Sequence, residues 1–505
     1  MTTINSVGLI GIDGFLVNVE ADLAQGLPAF DIVGLPDVAV KESRERVRSA
    51  LKNCNFSFPV KKITMNLAPG NVRKEGPIYD LPILVALLCA TGIINPLQTQ
   101  QCAFLGEVSL SGDLRPITGA LPMAVCAMQN GIKKLFVPYE NAAECALIDG
   151  IEIYPVRNIV ELAAHLNGEL SLSAAIKETP ADTAFFLGDF YEVRGQQNVK
   201  RAMEIAAAGF HNILLIGPPG AGKSMVAKRL PSILPPLTQA ESLECTKIHS
   251  VAGLTSANAP MITFAPFRAP HHTISSIGLS GGSMRPRPGE ISLAHNGILF
   301  LDELPEFAKS TLEVLRQPLE DGSVVITRAN GTVSYPSRFM LVCAMNPCRC
   351  GYFGHPTRAC TCTPKEISQY LQKISGPLLD RIDMHIDVAP VEFSDLSGES
   401  EIEPSAQVAK RVQKAREIQR ERNDFVLNSK LSPTKTREIC AIGPSQTELL
   451  HKAFNRLGLS ARAYDRIVKV ARTIADLEGS STIENGHLLE AIQYRSLDRK
   501  YFSVG

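Results

Sequence analysis

Residues 217–224 read Gly217-Pro218-Pro219-Gly220-Ala221-Gly222-Lys223-Ser224, with the spacing G-x-x-x-x-G-K-[ST]. This octet constrains the fold more than any other stretch, because it works only as the turn between a buried strand and the start of a helix. Its small residues let backbone N–H groups converge on a polyphosphate. Lys223 brings a positive charge to the terminal phosphates, and Ser224 offers a hydroxyl to Mg²⁺. The flanks agree: Asn212-Ile-Leu-Leu-Ile216 is a short apolar run of strand type, and Ser224 to Leu230 begins a helix whose N-terminal dipole favours an anion. A glycine-rich turn that binds nothing is the competing reading, and the flanks weigh against it. The expectation is a nucleotide site for ATP and Mg²⁺ built from all eight residues.

A loop that grips phosphate does not hydrolyse it alone. Downstream, Gly297-Ile-Leu-Phe-Leu-Asp302-Glu303-Leu304 reads as a buried strand ending in two carboxylates. With that strand beside the one preceding the loop, Asp302 joins Ser224 in the Mg²⁺ shell. Glu303 then polarises a water for attack on the γ-phosphate. An ordinary acidic pair at a strand end is the alternative. A third apolar run, Phe339-Met-Leu-Val-Cys-Ala-Met-Asn346, ends in an amide whose burial needs a task. Asn346 either orients the attacking water or turns the chain before Pro347.

The 505 residues, 45% hydrophobic and 20% charged, suit two to four globular domains. Lys+Arg and Asp+Glu both number 51, so any nucleic-acid surface has to be a local patch. The first ten residues lack a basic-then-apolar leader, and the apolar stretch Leu81 to Leu97 is broken by Thr91, Gly92, Asn95 and Pro96. A cytoplasmic chain with no membrane partner is expected. Residues 1–166 alternate strands with helices, among them Val38 to Leu51, Leu81 to Ala90, and Asn141 to Leu147 with Asn141 as N-cap. Residues 167–187 read as a linker, and 188–390 as a parallel α/β sheet around the phosphate loop. Residues 391–505 start with an acidic loop and continue as helices. Val408, Val412, Ala415 and Ile418 mark one apolar stripe, with Lys410, Arg411, Lys414 and Arg416 on the opposite face.

Four further stretches carry a resemblance: Pro266-Phe-Arg-Ala-Pro-His-His-Thr273, Arg285-Pro-Arg-Pro-Gly-Glu-Ile-Ser-Leu-Ala-His295, Leu301-Asp-Glu-Leu-Pro-Glu-Phe307 and Ser375-Gly-Pro-Leu-Leu-Asp-Arg-Ile-Asp383. With the loop and the two strands, residues 189–505 resemble the magnesium-chelatase-type branch of the AAA+ superfamily, and nearly the whole chain resembles the ComM/YifB family. The resemblance implies an α/β fold: a P-loop parallel sheet with a helical lid, preceded by a Lon-protease-like α+β domain. It also implies a homohexameric ring with ATP between subunits. Arg381 falls where the family places a finger acting on a neighbour's ATP, Arg462 matches the second sensor arginine, and Asp189 to Gln196 resembles the segment bordering the adenine. Without the resemblance, Arg381 reads as part of a surface cluster with Asp380 and Asp383, and Arg462 as a solvated helix residue.

The N-terminal region resembles a Lon-type domain through Lys74-Glu-Gly-Pro77, Gly106-Glu-Val-Ser-Leu-Ser-Gly-Asp-Leu-Arg-Pro-Ile117 and Gly131-Ile-Lys-Lys-Leu-Phe-Val-Pro138. Lon proteases use a Ser–Lys dyad. Ile78 stands at the expected Ser position, and no Lys occurs from Leu114 to Gln129. A carbon side chain is no nucleophile, so a non-proteolytic scaffold is expected.

Asn330-Gly331 between two β-branched runs predicts a hairpin over 323–335, with Arg328 near its tip. Ser275 to Ser283, rich in small residues, predicts a flexible insertion loop. In related helicases such features project into the ring channel, which makes Arg285, Arg287 and Arg328 candidate DNA contacts; a solvated turn residue is the plainer reading of Arg328. Cys348-Arg-Cys350 and Cys360-Thr-Cys362 form two close pairs with the count for tetrahedral Zn²⁺, or else a metal-free, redox-labile cluster. The resemblance points to a DNA-translocating ring ATPase, a helicase promoting branch migration during natural transformation. A chelatase-like motor driving metal insertion by a partner and a protein-remodelling ATPase are the alternatives.

Overall fold

The computed structural model describes residues 1–177, 188–256, 259–282, 286–328, 331–390, 403–457, 460–497 and 501. Its chain divides into two compact units, 1–182 with 239–262, and 183–238 with 263–505.

The first unit is built on a mixed seven-stranded sheet. β1 (Thr2–Ile10) and β2 (Asp13–Ala24) form an antiparallel hairpin, and β3 (Ala29–Val33) pairs parallel with β4 (Lys62–Ala68). Next come β5 (Cys102–Phe104), the small ribbon β6 (Glu107–Val108) with β7 (Leu114–Arg115), β8 (Lys134–Pro138) and β9 (Glu152–Val156). The sheet order is β3-β4-β2-β1-β5-β8-β9. Period-two alternation sends Ile4, Cys102 and Phe104 into one core and Val7, Ala103 and Leu105 into another, on opposite faces. The helix Asp80–Ala90 is buried on every side through Cys89, which explains its unbroken apolar run. Leu121 is fully buried and Ile78 half-buried, so the positions of the absent dyad are packing positions.

Three local expectations change here. Asn141 does not cap the following helix. Its Oδ1 accepts from the Ile117 N–H at 2.9 Å, and its Nδ2 donates to the Ile117 carbonyl at 2.8 Å, a stronger use of a buried amide. Residues 167–177 run along the unit: the Ala175 N–H bonds to the Ile153 carbonyl at 2.7 Å, and Lys177 pairs with Asp149 at 2.9 Å. The rest of the expected linker lies outside the described residues. Finally, residues 239–262, inside the stretch read as the ATPase sheet, belong to this unit. Their helix Gln239–Ala252 packs on the helix Ala120–Gln129, and the Gly119 N–H bonds to the Ser250 carbonyl at 2.9 Å.

The second unit is a five-stranded parallel sheet, with β10 (Ile213–Ile216), β11 (Phe267–Arg268), β12 (Ile298–Leu301), β15 (Met340–Met345) and β16 (Met384–Asp387) in the order β11-β12-β15-β10-β16. The hairpin β13 (Ser323–Arg328) with β14 (Gly331–Pro336) stands apart and closes at Arg328 opposite Gly331. β12 does not lie beside β10, as the sequence reading had it. β15 separates them, pairing Val342 with Ile213 on one side and with Phe300 on the other. The strands β10, β12 and β15 are buried throughout, so their apolar runs carry no alternation.

Helices Ser405–Arg422, Pro444–Leu457, Ala461–Glu478 and Asn485–Gln493 share one core with the sheet and the helix Gln197–Gly209. Val408, Val412 and Ala415 face it as expected. Arg416, expected on the polar face, is buried instead. Its guanidinium donates twice to the Ala207 carbonyl, at 3.0 and 2.7 Å, and rests on the Phe210 ring. Residues 275–280 are not an open loop. Ser275 caps a short helix Ser276–Ser280 at the Gly278 N–H, and Leu279 is fully buried.

Candidate nucleotide site

The phosphate loop leaves β10 at its C-terminal end, where parallel sheets place their ligands. Gly217 is required by close approach: a Cβ there would sit 2.3 Å from the Val388 carbonyl oxygen of the strand β16 segment. The loop ends in the helix Lys223–Arg229. A cavity of about 400 Å³ opens between the loop (Pro219 to Met225), Asp302 and Glu303 after β12, and Met345 and Asn346 at the end of β15.

Three strand ends meet at this cavity. The Ser224 hydroxyl donates to Asp302 Oδ2 at 2.5 Å, a short charge-assisted bond between the two residues expected to share Mg²⁺. Lys223 Nζ donates to the Gly217 and Pro218 carbonyls at 2.8 and 2.9 Å and to Asn346 Oδ1 at 3.0 Å. Burial pulls the Lys223 ammonium below its ordinary range, partly offset by the charges of Asp302 and Glu303. The intervening β15 therefore places Asn346 beside the lysine, while Asp302 arrives from one strand farther away. These residues, with one oxyanion-hungry cation, two carboxylates and a hydroxyl, fit a Mg²⁺-polyphosphate.

Glu303 projects from a strained backbone. Its φ of 52° lies in the left-handed region, a cost of order 1–2 kcal/mol for a residue with a Cβ. Its own N–H is fixed by Asp302 Oδ1 at 2.9 Å, and its side chain stays more than half exposed at the cavity mouth. His272 Nδ1 lies 3.6 Å from Glu303 Oε2, with the His271 ring 4.1 Å from that of His272. The sequence reading assigned this histidine no place. Gln196, also in a left-handed conformation, donates to the Ala221 carbonyl of the loop at 2.7 Å and to the Ala389 carbonyl at 3.1 Å. The segment 189–196 thus touches the phosphate loop.

The two candidate arginines do not line this cavity. Arg381 is buried. It pairs with Glu320 and donates to the Pro377 carbonyl at 2.6 Å, so the surface cluster with Asp380 and Asp383 does not form. Asp383 instead takes Arg466, His211 at 3.5 Å and the Asn212 N–H at 2.9 Å. Against the penalty of burial, these partners hold its carboxyl far below the usual range. Arg462 is exposed at the start of Ala461–Glu478, 3.9 Å from Asp380. Arg287 is exposed, and the Gly282 N–H bonds to its carbonyl at 3.0 Å. Arg285 and the side chain of Arg328 lie outside the described residues.

The four cysteines converge. The Sγ atoms of Cys348, Cys350, Cys360 and Cys362 all lie within 4.8 Å of one another. Cys348–Cys350, Cys350–Cys360 and Cys348–Cys360 are 3.3, 3.5 and 3.7 Å apart. A tetrahedral ion with metal–sulfur bonds of about 2.3 Å needs sulfur edges of about 3.8 Å. Against desolvation, backbone groups of Tyr352 and Thr361 draw the Cys350 thiol down to about 5, while the Cys348, Cys360 and Cys362 thiols are pushed up by burial and by their neighbouring sulfurs. The donor set fits Zn²⁺.

Family models described as magnesium chelatase, subunit ChlI, match residues 189–396. Models described as subunit ChlI of Mg-chelatase and as its C-terminal region match 19–141 and 402–495. The chain is 42% identical over 496 residues to "Competence protein ComM" of Haemophilus influenzae, covering 97% of this chain and 96% of that one. It is 42% identical over 504 residues to "Uncharacterized protein YifB" of Salmonella typhimurium, covering 99% and 98%. A Lon protease of Brucella suis is 28% identical over 167 residues, 30% of this chain and 20% of that one. Among the described residues no helix is long and apolar enough to cross a membrane. A parallel-sheet nucleotide fold with this loop, these strand ends and full-length identity at this level places the chain in the ComM/YifB family of magnesium-chelatase-type AAA+ proteins.

Proposed function

We propose that this protein is a ring-forming ATPase that couples ATP hydrolysis to movement on DNA, as a helicase promoting branch migration in recombination after DNA uptake. The convergence of Ser224, Asp302, Lys223 and Asn346 on one cavity carries the ATPase part. Full-length similarity to a protein named for competence supports the pathway. Mg²⁺ supplies neutralisation of phosphate charge, and Ser224 and Asp302 would hold it. Lys223 exchanges its loop carbonyls for phosphate oxygens. Glu303 takes the proton of the attacking water, Asn346 orients that water, and Arg462 contacts the phosphates from the lid. Arg381, supplied to a neighbouring subunit of a homohexamer, stabilises the transition-state charge once it leaves Glu320. The cysteine site holds Zn²⁺. Arg285, Arg287 and Arg328 contact the DNA backbone.

The Glu303→Gln variant tests the catalytic assignment. It should bind ATP as tightly as the wild type and lower turnover by about 10²–10⁴-fold, since Gln cannot accept the proton. Wild-type turnover in this variant would assign the base elsewhere. A second reading, a motor driving metal insertion by a partner protein, is favoured by the three magnesium-chelatase family models. It predicts ATP hydrolysis that no form of DNA accelerates.

A further inference from the structure

The cysteine site is wired to the phosphate pocket at three points. Cys348 follows Asn346, the acceptor of the Lys223 ammonium, by a single intervening residue, so the first sulfur and the pocket amide share one turn of chain. Gly351, inside the first Cys pair's turn with φ of 87°, lies flat on the phosphate loop. A Cβ there would fall 2.5 Å from Pro219 Cδ. The far end of the loop returns as well. Thr363, next to Cys362, caps the helix Pro364–Leu371, and the hydroxyl of the buried Tyr370 on that helix lies against the backbone of Asn346. The sulfurs themselves converge as a tetrahedral metal needs, all within 4.8 Å of one another. The Cys350 N–H points at Cys362 Sγ at 3.4 Å.

A Zn²⁺ ion bonded to all four sulfurs would tie the two Cys pairs together far more strongly than the weak contacts between their Sγ atoms. Without it, the turn carrying Gly351 and the helix carrying Tyr370 lose that common anchor. Both supports of Asn346 and the backing of Pro219 would loosen together. We propose that the two sites are thermodynamically linked: Zn²⁺ held by Cys348, Cys350, Cys360 and Cys362 shapes the phosphate pocket, so Zn²⁺ tightens nucleotide binding and nucleotide tightens Zn²⁺ binding. The inference rests on the ATPase reading of the pocket and adds to it a metal-dependent control. Reciprocity is required of any such linkage.

The test uses the full chain. Zn²⁺ is withdrawn with a chelator, and the Kd for a fluorescent ADP is measured with Mg²⁺ before withdrawal, after it, and after Zn²⁺ is returned. Kd should rise about 5–150-fold on withdrawal, the span usual for coupled sites, and recover on return. Competition with a chromophoric chelator should show Zn²⁺ held tighter by the same factor when ADP is present, which a merely structural metal would not show. Equal ADP affinity with and without Zn²⁺ overturns the linkage and leaves the ATPase reading standing. Failure of the Zn²⁺-loaded protein to bind ADP at all overturns that reading first. If withdrawal unfolds the chain, Gly351→Ala and Tyr370→Phe, which keep all four cysteines, settle the matter. One Zn²⁺ per chain with weakened ADP binding supports the linkage, and one Zn²⁺ per chain with wild-type ADP affinity in both variants refutes it.

Discussion

Replacing Lys223 with methionine separates binding from stability in an unusual way. Lys223 is 8% exposed, and its ammonium bonds only to neutral acceptors: two loop carbonyls and Asn346 Oδ1. Burial already disfavours its charge. The empty pocket therefore gains little from it, and exchanging a poorly compensated buried charge for an apolar chain of similar reach is commonly neutral or stabilising. We expect the stability of nucleotide-free Lys223→Met to stay within about 1 kcal/mol of wild type. The charge matters when phosphate arrives. One charge-assisted hydrogen bond contributes about 1.5–3 kcal/mol, which converts to a rise in ATP Kd of roughly 10–150-fold. Urea melts and isothermal titration on the same preparation measure both quantities. An ATP Kd within about threefold of wild type would refute the role given to the lysine. A loss of several kcal/mol without nucleotide would refute the claim that its charge is idle in the empty site.

Arg381→Ala should abolish turnover, and mixing it with Lys223→Ala subunits should restore part of it, because the second variant can lend its Arg381 to an intact neighbouring loop. No recovery in demonstrably mixed rings counts against a shared site. Asp383→Asn should cost about 3–5 kcal/mol in denaturant melts, since it strands Arg466 and weakens the tie to the Asn212 N–H that joins β16 to β10. The folded-state carboxyl titrates below its unfolded value of about 3.9, so its contribution is complete above that pH and fades as pH falls below about 4. The gap between wild type and variant should narrow there, and a gap independent of pH would contradict the ion-pair account. Arg328→Ala with Arg285→Ala should weaken DNA binding and reduce the salt slope by about 0.7–0.9 per lost phosphate contact, with basal ATPase kept. An unchanged slope would remove both residues from the DNA surface.

The phosphate loop, its flanking strand and helix, and the carboxylates of β12 were legible because each is specified by local residues. So were the helices near 38–53 and 80–90, the first by its amphipathic pattern and the second by its continuous apolar run. What escaped was set by contacts distant in sequence. Burial tells that Ile298–Leu301 and Met340–Met345 are strands, but nothing local says which of them borders β10. The helix Gln239–Ala252 has no marking that sends it to the first unit; its partner is the helix Ala120–Gln129, more than a hundred residues upstream. Arg416 looked solvated because only the fold brings the Ala207 carbonyl within its reach. His272 lay inside a quoted motif, yet its approach to Glu303 depends on β11 and β12 being neighbours. The cysteine pairs, by contrast, announced themselves by spacing, while their contact with Pro219 did not.

The most direct test of the central claim is the steady-state rate of ATP hydrolysis by the wild-type chain without DNA and with single-stranded, duplex and branched DNA, each at two salt concentrations. The account predicts Mg²⁺-dependent hydrolysis that branched or single-stranded DNA accelerates, with acceleration that falls as salt rises. Hydrolysis at the same rate in every arm would contradict it and leave a motor whose work is done on something other than DNA.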